Sequence, residues 1–288
     1  GEELAAIWRG ASEYEGKLPD AGVEARLGAV DWRRDEVVLY VGRMIAAKGA
    51  QAVVAAMPAV LRERPAARFV LVGHGPLREP LESLVWALER GDEALVRRIV
   101  GAASLVEDDP HAEGLAGVGA WLDALEARGE LEDYLAQAAR SRLGERVVFT
   151  GYLTHDHLRF LFPVADVAVF PSLVREAGPL VFLEALASEV FPLGTYFGGM
   201  AASIDEAGEV VPARVAERMK LRTPDAPEGG MVRDIVQGTV AALADAEDYG
   251  GPLRDMVSAR HDWRSVAARL RDVLSRSTGA RRDGNGGG

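Results

Sequence analysis

The run Glu36-Val37-Val38-Leu39-Tyr40-Val41, followed by Ala50 to Glu63 and then by Arg68-Phe69-Val70-Leu71-Val72, decides the fold. Both short runs are near-continuous in Val, Leu and Phe without polar alternation, the pattern of strands buried on both faces. The stretch between them is rich in Ala and Val and has helical length. Strand, helix and strand in this order argue for parallel pairing in a βαβ unit. The same rhythm returns at Arg146 to Thr150 and Asp166 to Phe170, with weaker runs at Phe191 to Tyr196 and Glu209 to Val211 and a helix over Pro179 to Ser188. The expected class is therefore α/β, a Rossmann-like doubly wound parallel sheet. Ligands of such sheets sit beyond the carboxyl ends of the strands, so the loops that follow each run are where chemistry is sought.

Working outward, Leu84 to Leu143 holds no strand pattern. Trp86 to Ala103 and Leu115 to Arg142 read as amphipathic helices, separated by Glu107-Asp108-Asp109-Pro110 and broken again at Arg128-Gly129. A helical insertion over about 85–143 is expected, serving as a lid, a partner surface or a plain elaboration. Residues 1–34 offer one helix, Glu2 to Glu13, and a polar linker, too short for a second α/β domain. The sheet domain spans 35–275, and the glycine-ending tail, 276–288, is expected to be disordered.

Composition narrows the function. A net charge of -11 disfavours nucleic-acid binding, which needs a clustered basic face. With no cysteine, disulfides, thiolate zinc sites and a cysteine nucleophile are excluded, and a cytoplasmic setting fits. No apolar run reaches the length of a transmembrane span, and residues 1–10 show no signal-peptide pattern.

The first strand leads into Gly42-Arg43-Met44-Ile45-Ala46-Ala47-Lys48-Gly49, with two cations in one loop ahead of a helix. Cations are slightly unfavourable at a helix start unless an anion is shared. Arg43 and Lys48 are either solvated surface cations or, with exposed N–H groups, a diphosphate cradle. Gly73-His74-Gly75-Pro76 lacks the third glycine of a dinucleotide fingerprint; Gly75 permits close ligand approach or simply a tight turn. At the end of the third strand, Phe149-Thr150-Gly151-Tyr152-Leu153, main-chain groups could meet a nucleobase edge. His155 and His157 stand two apart, which on a helix sends them to different sides, so Thr154 and Asp156 read as capping and no metal is expected. Past the fourth strand, Glu176 lies in a loop, Pro179 is expected as the first helical residue, and Glu184 sits on an otherwise apolar helix. A lone carboxylate there is costly unless paired. The N–H groups of Leu180 and Val181 stay open for a phosphate.

Together, Gly42-Arg43 with Lys48-Gly49, Gly73 to Pro76, Phe149 to Tyr152, Asp166 to Ser172 and Glu176 with Glu184-Ala185 eight residues on resemble the C-terminal domain of family-four retaining glycosyltransferases. The likeness covers Glu36 to Pro80 and Gly144 to Val211, and not the helical insertion. It implies one half of a GT-B fold, in which two Rossmann-like domains face each other, binding a nucleoside diphosphate sugar donor. Arg43 and Lys48 would hold the diphosphate and stabilise the departing nucleotide, Glu176 would contact the sugar, and Glu184 the ribose hydroxyls. Gly42, Gly75, Tyr152 and the backbone of Gly178, Leu180 and Val181 would line the donor site. Transfer would proceed with retention, without a cofactor or bound metal. Three departures stand out. The loop reads Glu176-Ala177-Gly178-Pro179 where an aromatic is frequent, Glu189 replaces a usual glycine and would reshape the following turn, and the acceptor domain is missing, so a partner domain in the same or another chain is expected. A catalytically idle sugar-nucleotide- or partner-binding module, or a relative such as a sugar-nucleotide epimerase, remains the alternative.

Overall fold

A computed structural model describes residues 1–11, 18–107, 114–223, 230–245 and 249–283. The helix α1 (Glu2–Ala11) is followed by a short α2 (Val23–Gly28) within the expected linker. Then come β1 (Glu36–Val41), α3 (Ala50–Glu63) and β2 (Ala67–Val72). Five helices lead to the next strand: α4 (Arg78–Glu89), α5 (Glu93–Ala103), α6 (Ala116–Ala127), α7 (Leu131–Arg140) and α8 (Leu143–Arg146). The remainder is β3 (Val147–Gly151), α9 (His155–Leu161), β4 (Val167–Phe170), α10 (Leu180–Ala187), β5 (Phe191–Thr195), α11 (Gly198–Gly208), α12 (Ala213–Arg218), β6 (Lys220–Leu221), α13 (Gly230–Ala244), α14 (Gly250–His261) and α15 (Trp263–Asp283).

The six strands pair in the order β3-β2-β1-β4-β5-β6, all parallel. Successive residues of each strand point to opposite faces. Val38 and Tyr40 therefore join Phe69 and Leu71 in a core beneath α3 and α13, while Val37 and Leu39 join Val70 and Phe182 in a second core beneath α10 and α11. Burial on both faces is why these runs lack polar alternation. The order reverses between β1 and β4, and that switch point opens the crevice at the strand ends.

The helices between β2 and β3 do not stand apart from the sheet. Leu81, Leu84, Val96, Ile99, Leu122 and Leu135 belong to the same core as α3. On their outer side α1 docks, with Trp8 buried and its Nε1 donating to Ser83 Oγ at 3.0 Å. The stretch read as one helix over Trp86 to Ala103 divides at Gly91, whose φ is +63°. Asp92 then caps α5 by accepting from Leu95 N at 2.9 Å. Asp92→Ala should cost about 1 kcal/mol, read as a lowered urea midpoint at unchanged slope; an unmoved midpoint would show the cap to be idle.

Two strand boundaries differ from expectation. Glu209 to Val211 form no strand: Glu209 caps the end of α11, and Val211 is buried against the second core. The sixth strand is instead Lys220–Leu221, too short to carry a pattern. At the other end, α15 continues to Asp283, past residue 276 where structure was expected to cease; residues 284–288 lie outside the described ones, as do Asp108-Asp109-Pro110. Among the described residues no helix is long and apolar enough to cross a membrane.

Candidate functional site at the sheet switch point

The loop after β1 is built on the loop after β2. Gly42 N donates to Val72 O at 3.0 Å, Met44 N to His74 O at 2.8 Å and Leu77 N to Met44 O at 3.0 Å. Gly75, at φ +148°, meets this neighbour so closely that a Cβ would lie 2.5 Å from Met44 O. Its glycine is thus required by the chain's own packing. Below the loop, the buried Tyr40 hydroxyl donates to Arg43 O at 3.0 Å. Burial, and next the charge of Glu176, push this phenol far above its usual range, so it stays a neutral donor. Arg43 itself is exposed.

A second set of contacts ties this loop to the one after β4. Leu173 N donates to Ala47 O at 2.8 Å, and Ser172 Oγ reaches both Ala47 O and Val174 O, at 3.3 and 3.1 Å. These bonds bring Lys48 Nζ to 2.9 Å from Glu176 Oε1, with the side chains 30% and 21% exposed. From behind, Gly199 N at the start of α11 donates to Glu176 O at 2.7 Å. Two of the sequence candidates, far apart along the chain, thereby form one ion pair at the switch point.

Next to that pair begins α10, but Pro179 is its cap and not its first residue: at ψ 89° it is non-helical, and its carbonyl accepts from Phe182 N and Leu183 N at 3.0 and 3.3 Å. The N–H groups of Leu180 and Val181 accordingly have no place in the helical ladder. The apolar helix is less buried than expected. Phe182, Ala185 and Leu186 are buried, whereas Leu180 is 60% exposed. Glu184 is half-buried and not alone, because His155 Nδ1 lies 3.2 Å from its Oε1. Its Oε2 is buried with no hydrogen-bond partner. Burial raises the Glu184 carboxyl above the usual range, and His155 opposes that rise. Where a glycine is usual, Glu189 takes φ +65°. The turn keeps its shape, with Glu189 N bonding Leu186 O and Val190 N bonding Ala185 O at 3.2 and 3.0 Å, the double bond of a left-handed helix end.

The end of β3 is already engaged by the chain itself. Tyr152 N donates to Leu18 O at 3.0 Å, Asp20 N to Thr150 O at 2.8 Å and Gly73 N to Gly151 O at 2.9 Å. An antiparallel bridge from Pro19 to Gly151 completes the contact. Of the main-chain groups expected to meet a nucleobase, the Tyr152 N–H is therefore taken, while the Tyr152 ring packs edge-on to His74 at 5.2 Å. Gly178 is exposed with nothing near its missing side chain.

Some site residues escape sequence reading. His155 reads only as part of a helix start, and indeed Thr154 and His157 form the capping box of α9; its partner lies on another helix. Gly198-Gly199 follows β5 and could have been found by inspecting that strand end as well. Glu107, from the helices between β2 and β3, accepts from Ala46 N at 3.1 and 3.3 Å through its two oxygens, a contact without any local pattern.

With this geometry in view, likeness to known proteins is informative. The profile of the family described as "Glycosyl transferases group 1" matches residues 35–112 and 115–221. The GDP-mannose-dependent alpha-(1-6)-phosphatidylinositol monomannoside mannosyltransferase of Mycobacterium tuberculosis is 25% identical over 252 residues, 85% of this chain and 48% of that protein. An uncharacterised glycosyltransferase of Methanocaldococcus jannaschii is 26% identical over 166 residues, 58% of this chain and 28% of its own. The chain thus spans about half the length, or less, of these curated relatives. Among solved structures, HepE of Anabaena in complex with UDP superposes with a TM-score of 0.52 at 13% identity, covering 90% of this chain and 54% of that one. A glycosyltransferase from Rickettsia africae gives 0.51 at 14%, covering 88% and 52%. The order of the sheet, the matched profile and these relatives agree: the chain belongs to the group 1 glycosyl transferases and forms a Rossmann-like half of their GT-B fold.

Proposed function

We propose that the crevice between the β1 and β4 loops binds the nucleoside diphosphate sugar donor of a retaining glycosyltransferase. The observation that carries this reading is the Lys48–Glu176 pair at 2.9 Å beside the open N-terminus of α10, with Glu184 on the same helix. A diphosphate placed there meets the positive end of the helix, the N–H groups of Leu180 and Val181, and the cations Lys48 and Arg43. As the glycosidic bond breaks, charge grows on the departing diphosphate, and preorganised cations lower that barrier without a metal. Glu176, held by Gly199 and Lys48, accepts from sugar hydroxyls; Glu184 accepts from the ribose. Gly178, with nothing within 4 Å of its missing side chain, leaves room for backbone approach, whereas the space at Gly42 and Gly75 is filled by the Tyr40 hydroxyl and Met44 O. Tyr152 keeps only its carbonyl for a base. An acceptor-binding half faces this one, in the same or another chain, and the absence of cysteine fits a cytoplasmic reaction.

The mycobacterial relative is named for GDP-mannose and HepE was solved with UDP, so guanine and uracil nucleotides are the first to test, with ADP alongside. At a hundredfold excess over Kd, a ligand of the native state adds about 2.7 kcal/mol, which raises the melting temperature by roughly 5–10 °C for a chain of this size. One of UDP, GDP, ADP or their sugars should do so, and Glu184→Gln should weaken that ligand about tenfold. No shift with any of them at millimolar concentration would remove the donor-site reading.

A further inference from the structure

His155 opens α9 and Glu184 lies in the second turn of α10, two helices that start from different strand ends. Their meeting leaves the carboxylate in an unusual state. Oε1 is held by the imidazole at 3.2 Å, and Oε2 is buried without a partner. A carboxylate so placed favours its neutral form, unless a neighbouring donor or positive charge supports the anion. Few neighbours can. The strands β4 and β5 beneath α10 carry no charged residue. On α14, Arg254 is paired with Glu189 and Asp255, and Arg260 with Glu209; His261 of that helix binds Glu206 of α11. Asp205 of α11 accepts from Tyr196, and Glu176 is paired with Lys48. On α9, Asp156 follows His155, His157 is bound to Thr154, and Arg159 lies over the Phe160 ring. His155 is the group whose charge and hydrogen bond act on Glu184.

We propose that His155 is a positioning residue for the donor's ribose, anchoring Glu184 through Oε1 and keeping it ionised as a hydroxyl acceptor. This rests on the donor-site reading above. The imidazole is 76% exposed, so its replacement leaves the fold nearly untouched. Two substitutions divide its roles. His155→Ala removes donor and charge together, whereas His155→Asn places an amide N–H where Nδ1 stood.

The test is calorimetric titration of the full chain with UDP, GDP and ADP between pH 5 and 8. In the parent protein affinity falls on acidification as Glu184 takes up its proton. His155→Ala should weaken binding about tenfold at neutral pH and move the acid fall to higher pH, because burial then acts on Glu184 unopposed. His155→Asn should recover most of the neutral-pH affinity. Added to Glu184→Gln, His155→Ala should cost nothing further. If Glu184→Gln weakens binding while the His155→Ala profile superimposes on the parent's, the positioning role is wrong and the donor site stands. If none of UDP, GDP and ADP binds, or Glu184→Gln binds the active nucleotide like the parent, the donor-site reading falls and this inference with it.

Discussion

Lys48→Ala should weaken UDP or GDP binding about a hundredfold, or about 3 kcal/mol, by isothermal titration at neutral pH. The size follows from what the substitution leaves behind. Lys48 Nζ lies 2.9 Å from Glu176 Oε1, and both side chains are largely shielded from water. Removing the ammonium deletes the attraction for a diphosphate. It also leaves the Glu176 carboxylate unpaired beside the place where that diphosphate sits, turning a neutral pair into a local negative charge. Neutralising the carboxylate as well should therefore restore part of the loss, so Lys48→Ala with Glu176→Gln binds more tightly than Lys48→Ala alone. Such a non-additive pair is expected for two groups in direct contact. Parent-like affinity of Lys48→Ala would place the phosphates elsewhere.

Gly49→Ala should destabilise the fold by about 4 kcal/mol, measured as a lowered urea midpoint. Gly49 has φ +75°, and a Cβ on it would lie 1.9 Å from Pro171 O and 2.8 Å from Pro171 C. The left-handed backbone alone costs an alanine about 1 kcal/mol. The clash costs more, since two main chains must part and the Leu173 N to Ala47 O bond must stretch or break. That same bond sets the spacing of Lys48 and Glu176, so the variant should also lose nucleotide binding at temperatures where it is still folded. Gly178→Ala is the internal comparison: nothing lies within 4 Å of its missing Cβ, and stability should stay within about 0.5 kcal/mol. Equal midpoints for the two variants would contradict the argument.

Strand identity was readable because burial on both faces imposes a composition. Four of the runs, from Glu36–Val41 to Val167–Phe170, carry that composition plainly and Phe191–Thr195, with Pro192 and Gly194, carries it less, whereas Lys220–Leu221 is two residues long and borrows its partners from β5. Lys48 and Glu184 were readable as residues out of place, a cation at a helix start and an acid on an apolar face, whereas Glu176, an acid favourably placed before a helix, stood out through the family resemblance. Each lies next to a strand end, where parallel α/β sheets put ligands.

Who pairs with whom was not readable. The expectation for Glu184 was a costly lone acid, yet its partner His155 opens the helix that follows β3, the strand at the edge of the sheet. The Tyr152 N–H looked open, but Leu18 takes it. Glycine at 75 looked like room for a ligand, and the space beside it is filled by Met44 O. The sequence by itself determined the class of fold, the ends of the strands that matter and the residue types gathered there, because periodicity and burial are local properties of the chain. Only the tertiary structure decided that Lys48 meets Glu176 and that His155 meets Glu184. Those contacts depend on strand order and on main-chain bonds between loops, and neither leaves a trace in the spacing of residues along the chain.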